Sequence, residues 1–123
     1  MANADLPNLL AILDAISQIE LYTSDLDSAD DLSADRKSFD AVMMNFVLIG
    51  EMVERINPIL KIQNPQIPWK EIKDFRNIIA HNYLGIDVEE VWQIIADHLL
   101  PLRSQIQKIV HEMKADGAGG SFP

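Results

Sequence analysis

The stretch AVMMNFVLIGEMVERINPIL, from Ala41 to Leu60, decides the fold. Its apolar residues recur at alternating steps of four and three, the spacing of a helix that packs along one seam. The pattern predicts one long helix over residues 34–57, which Pro58 ends or kinks. The residues of this seam are Val42, Phe46, Ile49, Val53, Ile56 and Leu60.

The middle of this helix is apolar on more than one side, because Met43, Met44, Val47 and Leu48 lie off the seam. A helix that is apolar nearly all round must bury more than one face. A small bundle has few neighbours to offer, so we expect a homodimer. Gly50 would let another backbone come close, at a cost of about 1 kcal/mol in helix propensity.

Amphipathic patterns on either side of this helix predict further helices. The first covers residues 5–23, and the polar, acidic segment 23–35 is expected to be a loop in which Ser33 or a neighbouring Asp caps the central helix. Residues 61–68 contain two prolines and are expected to be a connection.

The second half of the chain predicts a helix from about Trp69 to His81 or Asn82, terminated by Gly85. The residues Asp87 to Glu90 have the form of a capping box and open a last helical stretch. Its apolar stripe keeps its phase across Pro101, which indicates a kinked or tightly broken helix.

These patterns together predict an all-α protein, an antiparallel bundle of four to five helices that forms a homodimer. Residues 1–115 are expected to form a single domain, and residues 116–123 a flexible Gly-rich tail.

Composition excludes several classes of protein. The 48% of hydrophobic residues in the 123-residue chain excludes general disorder, and the lack of cysteine excludes disulfides and thiolate metal sites. No apolar run reaches the roughly 18 residues of a membrane span, and the N-terminus has no basic leader region. We therefore expect a cytoplasmic protein that does not associate with membranes.

The net charge of -9 argues against a protein that coats nucleic acid. Residues 61–86 are nevertheless net positive, with four bases against two acids. This window would attract RNA locally, and Lys70 and Lys73 are its expected RNA-binding residues. For charge alone, a chance grouping of lysines explains the window equally well.

The same window contains KDFRNIIAHNYLG, Lys73 to Gly85, in which polar side chains crowd one helix end. Asn77 and His81 share a helix face, whereas Arg76 and His81 differ by about 140°. Two chains related by a two-fold axis would bring two Arg and two His residues to one cleft. His exchanges protons near neutral pH and Arg binds phosphate, which suits transesterification of RNA. An Arg and a His can also simply cap carbonyls and pair with acids.

Three stretches resemble the HepT-like toxin family of the HEPN superfamily. RNIIAHNY fits the family pattern of Arg, a polar residue, His and Tyr. NFVLIGEMVERI is similar to the family's second helix, and NPQIPWKEIKDFRNIIAHNYLGIDVEEVWQII to its second half. The resemblance extends over about residues 6–113.

This resemblance implies a small helical dimer that cleaves RNA without a metal ion or other cofactor. It implies that Arg76 and His81 are catalytic, that Asn77 supports them, and that Tyr83 receives AMP. The implied partner is an MntA-like nucleotidyltransferase antitoxin, which uses ATP to modify the tyrosine. Transfer RNA is the expected substrate. Glu51 is a further candidate that either orients the catalytic pair or is simply solvated.

Two other interpretations remain open. A non-catalytic helical module could use the same cleft to hold a nucleotide or a partner. The net charge of -9 mildly favours this module, whereas the presence of Arg76, His81 and Tyr83 together favours RNA cleavage. A bundle with no site would leave the polar cluster unexplained. His98 and His111 have no metal-type spacing and are expected to be surface residues.

Overall fold

The computed structural model describes the backbone of residues 2–120 and the side chains of residues 4–116. This part of the chain is helical apart from short connections and contains no strand, so the all-α prediction is confirmed. In chain order its elements are α1 (Ala2–Thr23), α2 (Ala29–Ala34), α3 (Arg36–Arg55), α4 (Pro58–Gln63), α5 (Trp69–His81), a 3-10 turn (Tyr83–Gly85), α6 (Val88–Asp97) and α7 (Leu99–Gly120).

The central helix of the bundle is α3, which packs between α1 and α5, while α7 lies along α1. The backbone N–H of Asn57, just after α3, donates to Asp5 near the start of α1 at 3.0 Å. Arg103, near the start of α7, donates to Ser17 in the second half of α1 at 3.1 Å. Both helix pairs therefore run antiparallel, as predicted.

The predicted seam of α3 forms the middle of the core. From Val42 to Ile56 its members are at most 5% exposed, and Leu60 packs against them partly buried. Each such side chain stabilises the fold by about 1.5–3 kcal/mol. The opposing stripe of α1 consists of Leu9, Ile12, Ile16 and Ile19, all fully buried.

Two predicted connections contain short helices, so those predictions were wrong. In segment 23–35 the hydroxyl of Ser28 accepts from the backbone N–H of Asp31 and opens α2, whose Leu32 is fully buried. Pro58 follows the end of α3 and also begins a second short helix, α4. It occupies the first turn of α4, where its missing N–H costs nothing, and Asn57 caps that helix.

The ends of the longer helices follow the sequence more closely. Asp35 accepts from Ser38 N at 3.1 Å and caps α3, one of the two alternatives predicted there. Pro101 lies in the first turn of α7, directly after a break at His98, which confirms the tightly broken helix.

Gly85 does not terminate α5, and that prediction was wrong. The helix ends at His81 because Asn82 leaves helical geometry, with φ of -148° and ψ of 52°. Gly85 has no positive φ. An added Cβ there would lie 2.6 Å from the Asn82 side chain, so the glycine makes room for that amide.

The C-terminal helix α7 is described as far as Gly120, while residues 121–123 lie outside the described part. The domain boundary after residue 115 and the flexibility of the tail therefore stay predictions. Among the described helices, none combines the length and apolarity that a membrane span requires.

Candidate active site

The candidate site lies where α5 crosses α3. Gly50 of α3 faces α5 so closely that a Cβ added to it would lie 2.4 Å from the Cβ of Arg76. Gly50 is therefore the residue that allows the two helices to approach, as the sequence predicted for this position. The pairs Glu54–Arg76 and Asp40–Tyr83 show that these helices also run antiparallel.

Arg76 is buried, with only 11% of its side chain exposed, and it is held by three acceptors. Its Nη1 donates to Glu51 at 2.5 Å and its Nη2 donates to Glu54 at 2.9 Å. Its Nε donates to the side-chain oxygen of Asn77 at 2.9 Å. A guanidinium carries five N–H donors, so two remain for a further acceptor such as a phosphate oxygen.

The two carboxylates fix both the charge and the direction of Arg76. The hydrogen bond that Arg76 donates to Glu54 raises the pKa of Arg76, and the same bond lowers the pKa of Glu54. Lys73 also approaches Glu54, at 3.4 Å. The guanidinium therefore lies against α3 with its fork held rigidly.

His81 lies on the last turn of α5 and is exposed. Among the described side chains no hydrogen bond joins it to Arg76, which points toward α3 instead. Asn77, one turn before His81, is half-buried, and its neighbour Ile78 is 53% exposed. Within one chain the arginine and the histidine thus remain separate parts of the site.

Tyr83 follows in the 3-10 turn and is tied to the first half of α3. Its hydroxyl donates to Oδ1 of Asp40, and its ring packs edge-on against Phe39 with 5.7 Å between centroids. Arg36 donates to the same Oδ1 at 3.0 Å. Burial and the bond to Asp40 raise the pKa of Tyr83 to about 12, so the phenol stays protonated at neutral pH.

The remaining predicted residues are distributed around this site. Of the two alternatives for Glu51, the structure places it against Arg76 rather than free in solvent. Lys70 is exposed but pairs with Asp74 at 2.6 Å, which raises the pKa of the lysine. His98 and His111 are exposed, as predicted. Within the described residues, no three His, Asp or Glu side chains converge as a metal ion would need.

Sequence reasoning missed two residues of this region, Glu54 and Asp40. Glu54 follows Glu51 by three positions and so shares its helix face, which was a usable signal. Asp40 had no such signal, because its contact with Tyr83 spans 43 positions and depends on how α3 and α5 cross.

Residues 12–109 match the model of the family described as ribonuclease HepT-like. The chain is 31% identical to "Probable ribonuclease HepT" of Thermococcus cleftensis, over 80% of this chain and 88% of that protein. It is equally identical to "Gamma-glutamylcyclotransferase and putative RNase MJ0434" of Methanocaldococcus jannaschii, over 83% of this chain. The match spans 46% of that longer protein. No solved structure gives a significant match.

The family match covers the helices that carry the site. It includes Glu51 and Glu54 on α3, Arg76 and His81 on α5, and Tyr83 in the 3-10 turn that follows. The resemblance inferred from the motif is therefore confirmed by comparison of the whole sequence. The chain belongs to the HepT-like ribonuclease family.

Proposed function

We propose that this protein is the toxin of a toxin–antitoxin pair, a ribonuclease that needs no metal ion and acts as a homodimer. Arg76 and His81 are its catalytic residues, and transfer RNA is its expected substrate. The observation that carries the proposal is that one helix presents both a rigidly held arginine and, at its end, an exposed histidine.

The reaction uses the 2′-hydroxyl of the RNA as nucleophile. The 2′-oxygen attacks the adjacent phosphorus and the bond from phosphorus to the 5′-oxygen breaks, which leaves a 2′,3′-cyclic phosphate and a 5′-hydroxyl. His81 exchanges protons with these oxygens, and Arg76 stabilises the negative charge that develops on the phosphate. Glu51, Glu54 and Asn77 support the reaction by fixing the guanidinium.

A dimer is needed because one chain leaves Arg76 and His81 apart. Met44 is 60% exposed and Leu48 is 43% exposed, and both lie N-terminal to Glu51 on one stripe of α3. Since α3 and α5 are antiparallel, this stripe runs beside the segment of α5 from Asn77 to His81. A second chain covering this surface would bury its apolar side chains and bring further Arg and His groups to the cleft.

Tyr83 is the regulatory residue of this proposal. A nucleotidyltransferase antitoxin of the MntA type would transfer AMP from ATP to its hydroxyl. The attached nucleotide would add bulk and negative charge at the end of α5, close in sequence to His81, and would repel an RNA phosphate. The chain itself needs no bound cofactor for either role.

The decisive experiment is cleavage of total transfer RNA in the presence of EDTA by protein whose mass shows no AMP. We expect wild type to cleave and His81→Ala to be about 100-fold slower or worse, the usual loss for a general acid or base. His111→Ala is the matched control, since it removes an exposed histidine from α7. Cleaved ends should carry 2′,3′-cyclic phosphate.

The competing function is a non-catalytic module that holds a nucleotide or a partner in the same cleft. It would be favoured if unmodified wild type left both transfer and messenger RNA intact. It would also be favoured if His81→Ala cleaved as fast as wild type, because the observed nuclease would then be a contaminant. Steep loss of cleavage with added salt supports the ribonuclease, since RNA contacts release counterions.

A further inference from the structure

A small pocket lies beside Tyr83, between the start of α3 and the segment that joins α5 to α6. Its volume is about 230 Å³, and the ring of Tyr83 forms part of its wall. The other walls combine the apolar side chains of Phe39, Leu84 and Ile86 with polar groups, among them Ser33 and Arg36. Leu84 is 90% exposed, so most of its side chain is available to pack against an occupant of the pocket.

Arg36 and the hydroxyl of Tyr83 are close together because they share one acceptor. Both donate to Oδ1 of Asp40, so they lie within about two hydrogen-bond lengths, roughly 6 Å, of each other. Among the described residues only the Nε of Arg36 is engaged, which leaves the terminal nitrogens of its guanidinium without a partner. A cation with spare donors thus stands beside the oxygen that the proposed function modifies.

We propose that this pocket holds the adenine of the AMP attached to Tyr83, and that Arg36 binds the phosphodiester. The inference rests on the proposed function. In the modification step the phenolic oxygen bonds to the α-phosphorus of ATP, and the bond from that phosphorus to the bridging oxygen of pyrophosphate breaks. Pyrophosphate leaves, the phenolic proton passes to a base, and the partner nucleotidyltransferase supplies the ATP.

The size of the pocket fits one ring system and little more. Pockets for drug-sized ligands are roughly 300–1,000 Å³, so 230 Å³ is too small for a free nucleoside triphosphate. Weak binding is sufficient for a tethered group, because a short link raises its local concentration to about the millimolar range or above. A pocket of this size therefore suits a group that is already covalently attached to Tyr83, such as the adenine of AMP.

Modification also changes the charges around Tyr83 in a way that favours Arg36 as the phosphate ligand. It removes the O–H that donates to Asp40 and places a negative phosphodiester next to that carboxylate. The repulsion is relieved if Arg36 contacts the phosphate, with which it can form a charge-assisted hydrogen bond. The competing occupant is a base of an RNA substrate. An RNA base is not tethered to Tyr83, and its binding does not replace the hydrogen bond from Tyr83 to Asp40 by a contact between Arg36 and a phosphate.

The test begins with wild type treated with its nucleotidyltransferase and ATP, with one added AMP verified by intact mass. The rate at which a phosphodiesterase releases AMP is then compared with the rates for Arg36→Ala and Leu84→Ala. We expect release to be about fivefold faster from both variants, because each loses about 1 kcal/mol of the binding free energy that holds the AMP in the pocket. Lys37→Ala and Leu21→Ala are the matched controls, an exposed base and an exposed leucine outside the pocket.

Amide hydrogen exchange of the wild type, measured with and without attached AMP, tests the same inference without any variant. It remains available if a variant is not modified by the nucleotidyltransferase. We expect the amides of residues 33–39 and 84–88 to exchange more slowly once AMP is attached. Unchanged exchange, or equal release rates from all five proteins, overturns the inference. Protection of these amides by an RNA fragment but not by AMP overturns it in favour of an RNA base. If the intact mass shows no added AMP after treatment with the nucleotidyltransferase and ATP, the proposed modification of Tyr83 is itself wrong. Intact mass alone distinguishes this outcome from failure of the pocket inference.

Discussion

At the scale of single residues, Arg76 shows which parts of a site a sequence motif predicts and which it does not. The family resemblance implied that Arg76 is catalytic and that Asn77 supports it, and the structure places the two side chains in contact at 2.9 Å. Its second carboxylate partner, Glu54, was missed although it lies one helical turn beyond Glu51. The motif specifies residue types along α5, whereas the partners of those residues depend on the facing helix.

Tyr83 offers a test of the site that does not need RNA. Burial and the hydrogen bond to Asp40 raise its pKa from 10.0 to about 12. A raised folded-state pKa stabilises the protein below the unfolded value, and this contribution is lost as pH rises from 10 to about 12. The measurement is the phenolate absorbance of wild type minus that of Tyr83→Phe, which cancels the contribution of Tyr22 because both proteins contain it. We expect this difference to titrate near pH 12.

Asp40→Asn provides the comparison for that titration. It keeps an acceptor for the hydroxyl but removes the negative charge, so the pKa of Tyr83 should fall toward its ordinary value. A titration of Tyr83 near pH 10 in the wild type would contradict the contact with Asp40, and a titration unaffected by Asp40→Asn would assign the shift to burial alone.

At the scale of elements, the long helices were predictable and the short ones were not. The apolar period of α3 continues over several turns, so its pattern is clear. The six residues of α2 and of α4 hold less than two turns each. The polar, acidic composition of the segment around α2 is typical of a loop, and burial of Ala29 and Leu32 against the rest of the bundle makes α2 a helix.

The crossing of α3 and α5 predicts a specific effect of Gly50→Ala. Helix propensity alone would stabilise α3 by about 1 kcal/mol. The new Cβ would instead meet Cβ and Cγ of Arg76 at 2.4 and 2.6 Å, so α5 must move away. Overpacking of this kind costs about 1–3 kcal/mol, and we expect a net loss in the free energy of unfolding, measured by urea denaturation.

Ser104→Ala is the control for that substitution, because it improves helix propensity at an exposed position of α7. It should leave the free energy of unfolding within about 0.5 kcal/mol of wild type. RNA cleavage should fall in Gly50→Ala but not in Ser104→Ala, since only the former displaces Arg76. A Gly50→Ala protein more stable than wild type would mean that the two helices do not approach as closely as described.

At the scale of the whole molecule, the sequence predicted the bundle and the antiparallel order of its helices. It could not predict which apolar residues of α3 remain uncovered, because that depends on where α1 and α5 lie. Met43 is buried and Met44 is 60% exposed, although both are apolar and adjacent. The homodimer inferred from the apolar middle of α3 stays a prediction, with Met44, Leu48 and Ile78 as its expected contact surface.

Leu48→Asp is the substitution that tests this surface. Leu48 is 43% exposed in the single chain, so a charge there should leave the helical circular dichroism unchanged. A charge at the centre of an interface of roughly 1,200–2,000 Å² should prevent dimerisation, which light scattering would detect as the mass of one chain. RNA cleavage should be lost with the dimer. Leu100→Asp, at a 61% exposed position of α7, should change neither property. A wild type that is monomeric yet cleaves RNA would show that one chain forms a complete site, and Arg76 and His81 would then have to meet within it.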